Sequence, residues 1–336
     1  MALTMRRRIL SAAVLVAQSA RRQQQQQQQQ RRRPIIMTTT ASSTTKEEIT
    51  HNGRGTYTIP TEMCSPFGSY PNPWDFSDND RAQYFCHPLV QSDTPYICQD
   101  LTDTAAQGRV QLATEEQYTA AQEEAQSNKN DVSSFDYLPA DLRQRCLARQ
   151  ADTVHHYIGR YDENRMAMYS SALFVDDTTN TIQDFSGLRT LHVGLDIDGP
   201  AGTPVYAVCA GTIHQVGKNP ALGDYGNVVV IQHEIPPANK TNNDAATPRT
   251  FYALYGHLDD ATVAQWNVGN AVAAGAVVGR MGALHENGGW LMPHVHFQLS
   301  VAPPATHDLP GVVAVADRAR ALWEYPDPRW VLGPLY

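Results

Sequence analysis

Two short segments of this chain carry residues of the types that bind a catalytic metal ion. His192 and Asp196 lie four residues apart with Gly194 between them, and about a hundred residues later His294 and His296 stand two apart. Two nitrogen ligands, one carboxylate oxygen and a water are typical of catalytic zinc, whereas structural zinc sites are closed by four protein ligands. The residue types therefore predict a catalytic zinc site.

In both segments polar and apolar residues alternate, as they do in a half-buried β-strand. Gly194 argues against a helix, and apolar residues at 191, 193, 195 and 197 place His192 and Asp196 on one shared face. His294 and His296 alternate in the same way with apolar residues at 295, 297 and 299. We therefore expect two strands, each with a ligand-bearing face and an apolar face turned towards the core.

Each half has a plainer interpretation when taken alone, because a short motif is only a hypothesis and a single histidine is usually structural. Both halves together, in strand context, favour the metal site. In a third predicted strand, Thr250–Leu258, Tyr255 and His257 share a face. They would lie beside the metal if the fold brings that face to it, and otherwise His257 is a hydrogen-bonded histidine at a strand end.

Length and charge bound the remaining possibilities. A chain of 336 residues allows one large domain or two smaller ones. Of its 26 basic and 34 acidic residues, eight arginines and no acid fall in residues 1–45, which leaves residues 46–336 with a net charge of −16. An acidic folded part argues against a nucleic-acid partner. No apolar run is long enough to span a bilayer, and nothing in the sequence indicates an oligomeric state.

Residues 1–45 have the composition of a targeting leader. Three arginines at 6–8 precede an apolar stretch from Ile9 to Ala17, and a glutamine run occupies residues 23–30. The pattern fits a secretory signal and also an arginine-rich mitochondrial presequence, so both remain open. If Met37 is the true start, the leader is absent and the protein is cytosolic. The glutamine tract cannot build a core.

The residue pattern of the rest of the chain changes near residue 186. Residues 46–185 predict an extension of loops with helices near 114–130 and at Pro139–Tyr157. Residues 186–335 predict a mainly β domain, because short apolar segments alternate with Gly, Pro and Asn turns, as in an antiparallel barrel or sandwich. Its expected strands are Leu191–Ile197, Pro204–Val216, Asn227–His233, Thr250–His257, Ala276–Met281 and His294–Val301, with a surface insertion at Pro236–Pro248.

Five cysteines are present, and none forms a C-x-x-C pair. Cys64, Cys86, Cys98 and Cys146 would form two disulfides in a secreted protein, and are free thiols otherwise. Cys209 lies in an apolar strand pattern and is predicted to be a core residue.

Four separated motifs resemble a known family. In order, they are His192-x-Gly-x-Asp196, Gly202-Thr-Pro-Val-Tyr-Ala207, Tyr255-Gly-His-Leu258 and His294-x-His296. This series is similar to that of the lysostaphin-type, or LytM-like, zinc endopeptidases, over roughly residues 188–302. The resemblance implies their β-sheet domain with a duplicated hybrid motif.

The resemblance also assigns roles. It implies that His192, Asp196 and His296 hold one zinc ion per chain, and that His257 and His294 are the catalytic histidines, with Tyr255 as a further donor. In such a site a metal-activated water attacks the peptide bond while a histidine moves protons, and either histidine suits the general base. The implied substrates are peptidoglycan-type crossbridges or glycine-rich peptides.

Two departures from the family pattern concern the substrate groove. Leu291-Met-Pro293 stands where a small pair is common, and Gln298 stands where an acid is frequent. Neither change removes a ligand. The alternative to an enzyme is a catalytically silent module of the same fold that binds a cell wall or a protein, but such modules commonly lack a ligand and this chain has the full set.

Overall fold

In a computed structural model, the described residues are 46–50, 56–85, 89–108, 111–127, 135–174, 182–237 and 247–336. The predicted leader, Cys86 and most of the predicted insertion at Pro236–Pro248 lie outside them. The chain divides into two compact units, residues 1–43 with 48–57, and residues 44–47 with 58–336. The strand residues 48–50 and 56–57 are the described part of the first unit.

The described chain is mainly antiparallel β-structure. Its strands are β1 (Lys46–Thr50), β2 (Thr56–Pro60), β3 (Ile97–Cys98), β4 (Tyr157–Gly159), β5 (Glu163–Asn164), β6 (Leu191–His192), β7 (Leu195–Asp198), β8 (Pro204–Tyr206), β9 (Gly211–Asn219), β10 (Gly226–Ile235), β11 (Arg249–Leu258), β12 (Ala271–Val272), β13 (Val277–Arg280), β14 (His294–Ser300) and β15 (Val312–Val313). The largest sheet has the order β12-β9-β10-β11-β14-β7-β4-β3, and smaller sheets are β13-β8, β15-β6-β5 and β1-β2. The predicted fold class is confirmed, as sandwich-like sheets rather than a closed barrel.

The helices are short, and most of them precede β6 or follow β15 along the chain. They are α1 (Asp78–Tyr84), α2 (Thr104–Gln107), α3 (Glu115–Ser127), α4 (Ala140–Ala151), α5 (Asp260–Gln265), α6 (Arg318–Glu324) and α7 (Arg329–Leu332), with 3₁₀ turns at Ala172–Phe174 and Val315–Asp317. α3 and α4 correspond to the two predicted helices, and α4 ends at Ala151 rather than Tyr157. β4 begins at Tyr157, so the end of that prediction was wrong.

One apolar core joins the central sheet to the segment before it. The core includes inward-facing residues of β7, β10, β11 and β14. Trp74, Phe76 and Phe85, from the loop-rich segment, pack against Phe251 of β11 with ring centroids 5.6–5.9 Å apart. Burial of large aromatic rings is a major stabilising term, so the segment before residue 186 completes this core.

The strands that carry the predicted ligands also pair with strands from that earlier segment. Gly159 of β4 is the partner of Asp196 on β7, and Glu163 of β5 is the partner of His192 on β6. The expected single strand Leu191–Ile197 is broken at residues 193–194 into β6 and β7, which belong to different sheets. The expected strand Pro204–Val216 is likewise broken, into β8 and β9.

Two further features of the described chain are the state of its cysteines and the length of its helices. Cys64, Cys98 and Cys146 are free thiols, and Cys209 lies in the core as predicted. Among the helices of the described ranges, none combines the length and the hydrophobicity that crossing a membrane requires.

Candidate metal centre

His192, Asp196 and His296 each bring one ligand atom to a common point. His192 Nε2 lies 3.2 Å from Asp196 Oδ1, and His296 Nδ1 lies 3.1 Å from each of those two atoms. All three residues are buried. The structure thus brings together the three residues that the sequence predicts as ligands, and their metal binding itself stays a prediction.

Strand register and one glycine produce this arrangement. His296 on β14 and Asp196 on β7 are directly paired across antiparallel strands, so their side chains lie on the same face. The chain passes from β6 to β7 through Gly194, where a Cβ atom would lie 2.3 Å from Cε1 of His296. Only glycine leaves room for the imidazole ring against this backbone.

The outward nitrogen of each ligand histidine also has a partner. His192 Nδ1 donates to the backbone oxygen of Arg160 over 2.8 Å, and His296 Nε2 donates to Oε1 of Gln298 over 3.0 Å. Because the Gln298 amide nitrogen donates to the carbonyl of Pro310, its oxygen is directed to His296. Such contacts fix the tautomer and leave the inner nitrogens free to bind metal.

The carboxylate ligand is held by a buried ion-pair chain. Arg165 Nη1 donates to Oδ2 of Asp196 over 2.7 Å, and Arg165 Nε donates to Glu163 over 2.9 Å. Arg165 and Glu163 are almost completely buried. Burial alone would raise the pKa of Asp196, but the contacts of its carboxylate with His192 and with the cationic Arg165 outweigh burial and hold that pKa well below its usual range.

His257 and His294 lie beside the ligand cluster. Their ring centroids are 4.3 Å apart, and the His257 ring is 6.2 Å from that of His296. His257 Nδ1 donates to the carbonyl of Asn287 over 2.7 Å, and His294 Nδ1 donates to that of Met292 over 2.9 Å. A carbonyl accepts only, so each ring carries its proton on Nδ1 and keeps Nε2 as a free base.

Burial keeps these histidines neutral. Burial lowers the pKa of His192 to about 4, and the nearby charge of Arg165 acts in the same direction. Burial is also the main cause that lowers the pKa of His294, and that lowers the pKa of His257 well below its usual value. Unprotonated imidazoles are the form required both of a metal ligand and of a general base.

His257 reaches this site through an irregularity in its strand. The pairing of β10 with β11 shifts register just before the end of β11, and His257 has φ of +61°, an uncommon value for a residue other than glycine. The shift separates His257 from Tyr255, which lies in the apolar core with its hydroxyl accepting from Val208 N. The expectation that Tyr255 lies beside His192, Asp196 and His296 was therefore wrong. Tyr225 instead lines the cavity next to these three residues.

The segment that contains these residues is similar to a known peptidase family. Residues 190–306 match the profile of Peptidase family M23. The match covers about a third of the chain. All five candidate residues fall within the matched range, whereas Arg160, Glu163 and Arg165 precede it.

Two curated proteins are similar to part of this chain. The DD-carboxypeptidase/endopeptidase Mpg of Neisseria meningitidis serogroup B is 34% identical over 111 residues, which cover 33% of this chain and 20% of Mpg. The uncharacterized lipoprotein YgeR of Escherichia coli is 31% identical over 122 residues, covering 36% of this chain and 39% of YgeR. The chain therefore spans about a fifth of Mpg and under half of YgeR.

Two solved structures are also similar. The catalytic domain of lysostaphin from Staphylococcus simulans has 23% identity and a TM-score of 0.26, covering 43% of this chain and 80% of that domain. A zinc-containing peptidase from Vibrio cholerae has 24% identity and a TM-score of 0.25, covering 38% of this chain and 35% of that protein.

Proposed function

We propose that this protein is a zinc-dependent metalloendopeptidase that cleaves peptide bonds in peptidoglycan-type crossbridges or glycine-rich peptides. The observation that carries the proposal is the buried cluster of His192, Asp196 and His296 within an M23 domain, flanked by two neutral histidines. A peptidase needs both parts, because the metal group activates the reactants and a separate base moves the protons.

The donor set fits one zinc ion. Zinc takes histidine nitrogen and carboxylate oxygen at about 2.0–2.2 Å, so two ligands of a tetrahedral site lie about 3.3 Å apart. The three ligand atoms here are separated by 3.1–3.2 Å. The partners of the outward atoms, the Arg160 carbonyl, Gln298 and Arg165, complete the surroundings expected around a metal site. His192, Asp196 and His296 would therefore hold the zinc.

When bound, zinc polarises a scissile carbonyl and makes water acidic enough to attack near neutral pH. The chain's own contribution is proton transfer by His257 and His294. Each has an unprotonated Nε2, so either can accept the proton of the attacking water and then deliver it to the leaving amine. The imidazolium that results would also stabilise the negative charge that develops on the scissile carbonyl oxygen.

Peptidoglycan-type peptides are the proposed substrates because of the M23 assignment and because the relative Mpg is named as a DD-carboxypeptidase/endopeptidase. The test is a digest of purified peptidoglycan and of glycine-rich peptides by the full chain, followed by mass spectrometry. Chelation should abolish the release of peptide fragments, and one equivalent of zinc should restore it. Fragment release that survives complete removal of metal would refute the proposal.

Arg165 supplies a separate prediction about metal affinity. Arg165→Gln should weaken zinc binding by about 10- to 100-fold, the usual effect of removing an outer partner of a ligand, since Asp196 loses its cationic partner. Arg165→Lys, which keeps the charge, should recover part of the affinity. Competition titration with a chromogenic chelator measures the dissociation constant directly.

Arg149 offers the matched control for that titration. It is also buried and also faces a carboxylate of β7, Asp198, at 3.8 Å, but it touches none of the three proposed ligands. Arg149→Gln should therefore leave zinc affinity within a few-fold of wild type. Equal losses in both variants would show that Arg165 acts through stability alone.

A further inference from the structure

A small cavity opens next to the metal cluster. Its volume is about 130 Å³, and its lining includes His192, Asp196, His257 and His294. Engineered cavities of about 150 Å³ hold one benzene-sized molecule, so this space accepts a single small group of a substrate. The remaining lining residues determine which chemical group that is.

Arg189 lines the cavity and forms no ion pair with any acidic side chain that the structure describes. It lies just before β6 and is 5% exposed. Its Nη2 donates to the carbonyl of Leu173, and its guanidinium lies 5.5 Å from the centre of the Phe174 ring. Within the described chain no carboxylate lies within 4.0 Å of it, whereas the other buried arginines there, Arg149, Arg165 and Arg329, all have one.

Two acids line the same cavity without forming that ion pair. Asp224 and Asp308 both lie beyond ion-pair distance of Arg189. Burial raises the pKa of Asp224 to about 7 and that of Asp308 to about 6, and neither carboxylate is hydrogen-bonded to the guanidinium. A buried charge is costly unless it is paired, and an anionic ligand would supply the missing partner.

The side chain of Trp290 also lines this cavity. It is 3% exposed, and its indole N–H has no acceptor among the described residues. Its backbone is fixed by hydrogen bonds to Asn287, and its ring centroid lies 5.8 Å from that of His294. The cavity thus places an aromatic ring and, among the described residues, a guanidinium without a carboxylate partner beside the metal cluster.

We propose that Arg189 forms a subsite for a substrate carboxylate that lies close to the scissile bond. This inference rests on the proposed peptidase function and specifies its substrate class. The carboxylate has two possible sources, the α-carboxylate of a C-terminal residue or the side chain of an internal acidic residue. Arg189 is suited to either, because a guanidinium binds carboxylates through two parallel hydrogen bonds.

Paired peptides distinguish the two sources. Dansyl-Gly-Gly-Gly and dansyl-Lys-D-Ala-D-Ala are each prepared as the free acid and as the carboxamide, and carboxamide-capped dansyl-Gly-Glu-Gly is compared with its Gln twin. Hydrolysis by the zinc-loaded full chain is followed by chromatography, and binding by fluorescence anisotropy. We expect wild type to prefer one carboxylate by about 10- to 100-fold, the effect of a hydrogen bond to a charged group.

Arg189→Gln should abolish that preference, and Arg189→Lys should restore part of it. The matched control is Arg320→Gln, because Arg320 also lies over an aromatic ring, Phe185, but is paired with Glu324. This control should keep the full preference. A preference confined to the free acids identifies the terminal carboxylate, and one confined to the Glu peptide identifies the side chain.

The subsite would be refuted if wild type shows no carboxylate preference, or if Arg189→Gln retains it. A variant that loses acid and amide peptides equally would show that Arg189 is merely structural, which also refutes the proposal. If no peptide is hydrolysed but wild type binds the carboxylate form preferentially and Arg189→Gln does not, the subsite stands and the proposed peptidase function fails.

Discussion

Replacing His294 or His257 by alanine is expected to leave zinc bound while turnover falls by about 10²- to 10⁴-fold, the usual contribution of a positioned acid or base. Neither residue belongs to the cluster of three ligand atoms, so metal binding should persist. Each holds an unprotonated Nε2 beside that cluster because its Nδ1 proton is committed to a backbone carbonyl. Removing either ring therefore removes proton transfer and keeps the metal.

The measurement is turnover on peptidoglycan together with zinc content for both variants. His156→Ala is the matched control, because His156 is a buried histidine hydrogen-bonded to the carbonyl of Asp198 and does not line the cavity. It should keep turnover within a few-fold of wild type. Loss of zinc from the His294 or His257 variant would instead make that residue a ligand, and unchanged turnover would remove it from the mechanism.

Cutting the chain back to residue 186 is expected to abolish both folding and zinc binding, although it keeps the M23 match intact. The cut removes Trp74, Phe76 and Phe85 from the core around Phe251. Losing one buried aromatic ring costs about 3–5 kcal/mol, whereas whole domains are stable by about 5–15 kcal/mol. Loss of three such rings is therefore comparable with the whole free energy of unfolding of a domain.

The same cut removes two contacts to the ligands themselves, the carbonyl of Arg160 and the guanidinium of Arg165. A chain that begins at Lys46 is the control and should match the full chain in zinc content and thermal unfolding. Circular dichroism of the chain 186–336 measures whether it folds, and metal analysis measures whether it binds zinc. A soluble fragment 186–336 with a cooperative unfolding transition and one bound zinc would show that residues 46–185 are a separable appendage.

The meeting of His192, Asp196 and His296 was predictable in part, because its information is local and periodic. Alternation along two segments places polar residues on one face of a strand, and the register of β7 with β14 then brings Asp196 and His296 together. The choice of His296 rather than His294 as a proposed ligand came from the family resemblance, and Gly194, which argued against a helix, leaves room for the His296 ring. His257 was harder, since its position depends on a register shift and a left-handed backbone that alternation does not foresee.

The partners of the ligands were not predictable from spacing. Arg160 acts through its backbone carbonyl, which has no side-chain signature. Arg165 is one arginine among many in the sequence, and its role follows from the pairing of β4 and β5 with the ligand strands. The contact of Arg165 with Asp196 is a long-range feature that requires the fold.

The two departures from the family pattern now have physical explanations. Gln298 accepts from His296 through its amide oxygen, and an amide oxygen fills this acceptor role as a carboxylate does. Leu291 and Met292 are buried with Leu142 and Cys146 of α4. The larger residues at 291 and 292 therefore secure the helical extension beside the site, a packing role that the sequence alone did not indicate.

The central claim is that His192, Asp196 and His296 hold one zinc ion, and zinc stoichiometry of the purified His296→Ala variant tests it most directly. The control is His214→Ala, because His214 is a half-buried histidine of β9 that donates to the carbonyl of Pro304, packs against the Tyr252 ring and is not one of the three clustered residues. We predict one zinc per chain in wild type and in the control, and a substoichiometric amount in His296→Ala with peptidase activity lost. Full zinc retention by His296→Ala with unchanged turnover would contradict the account.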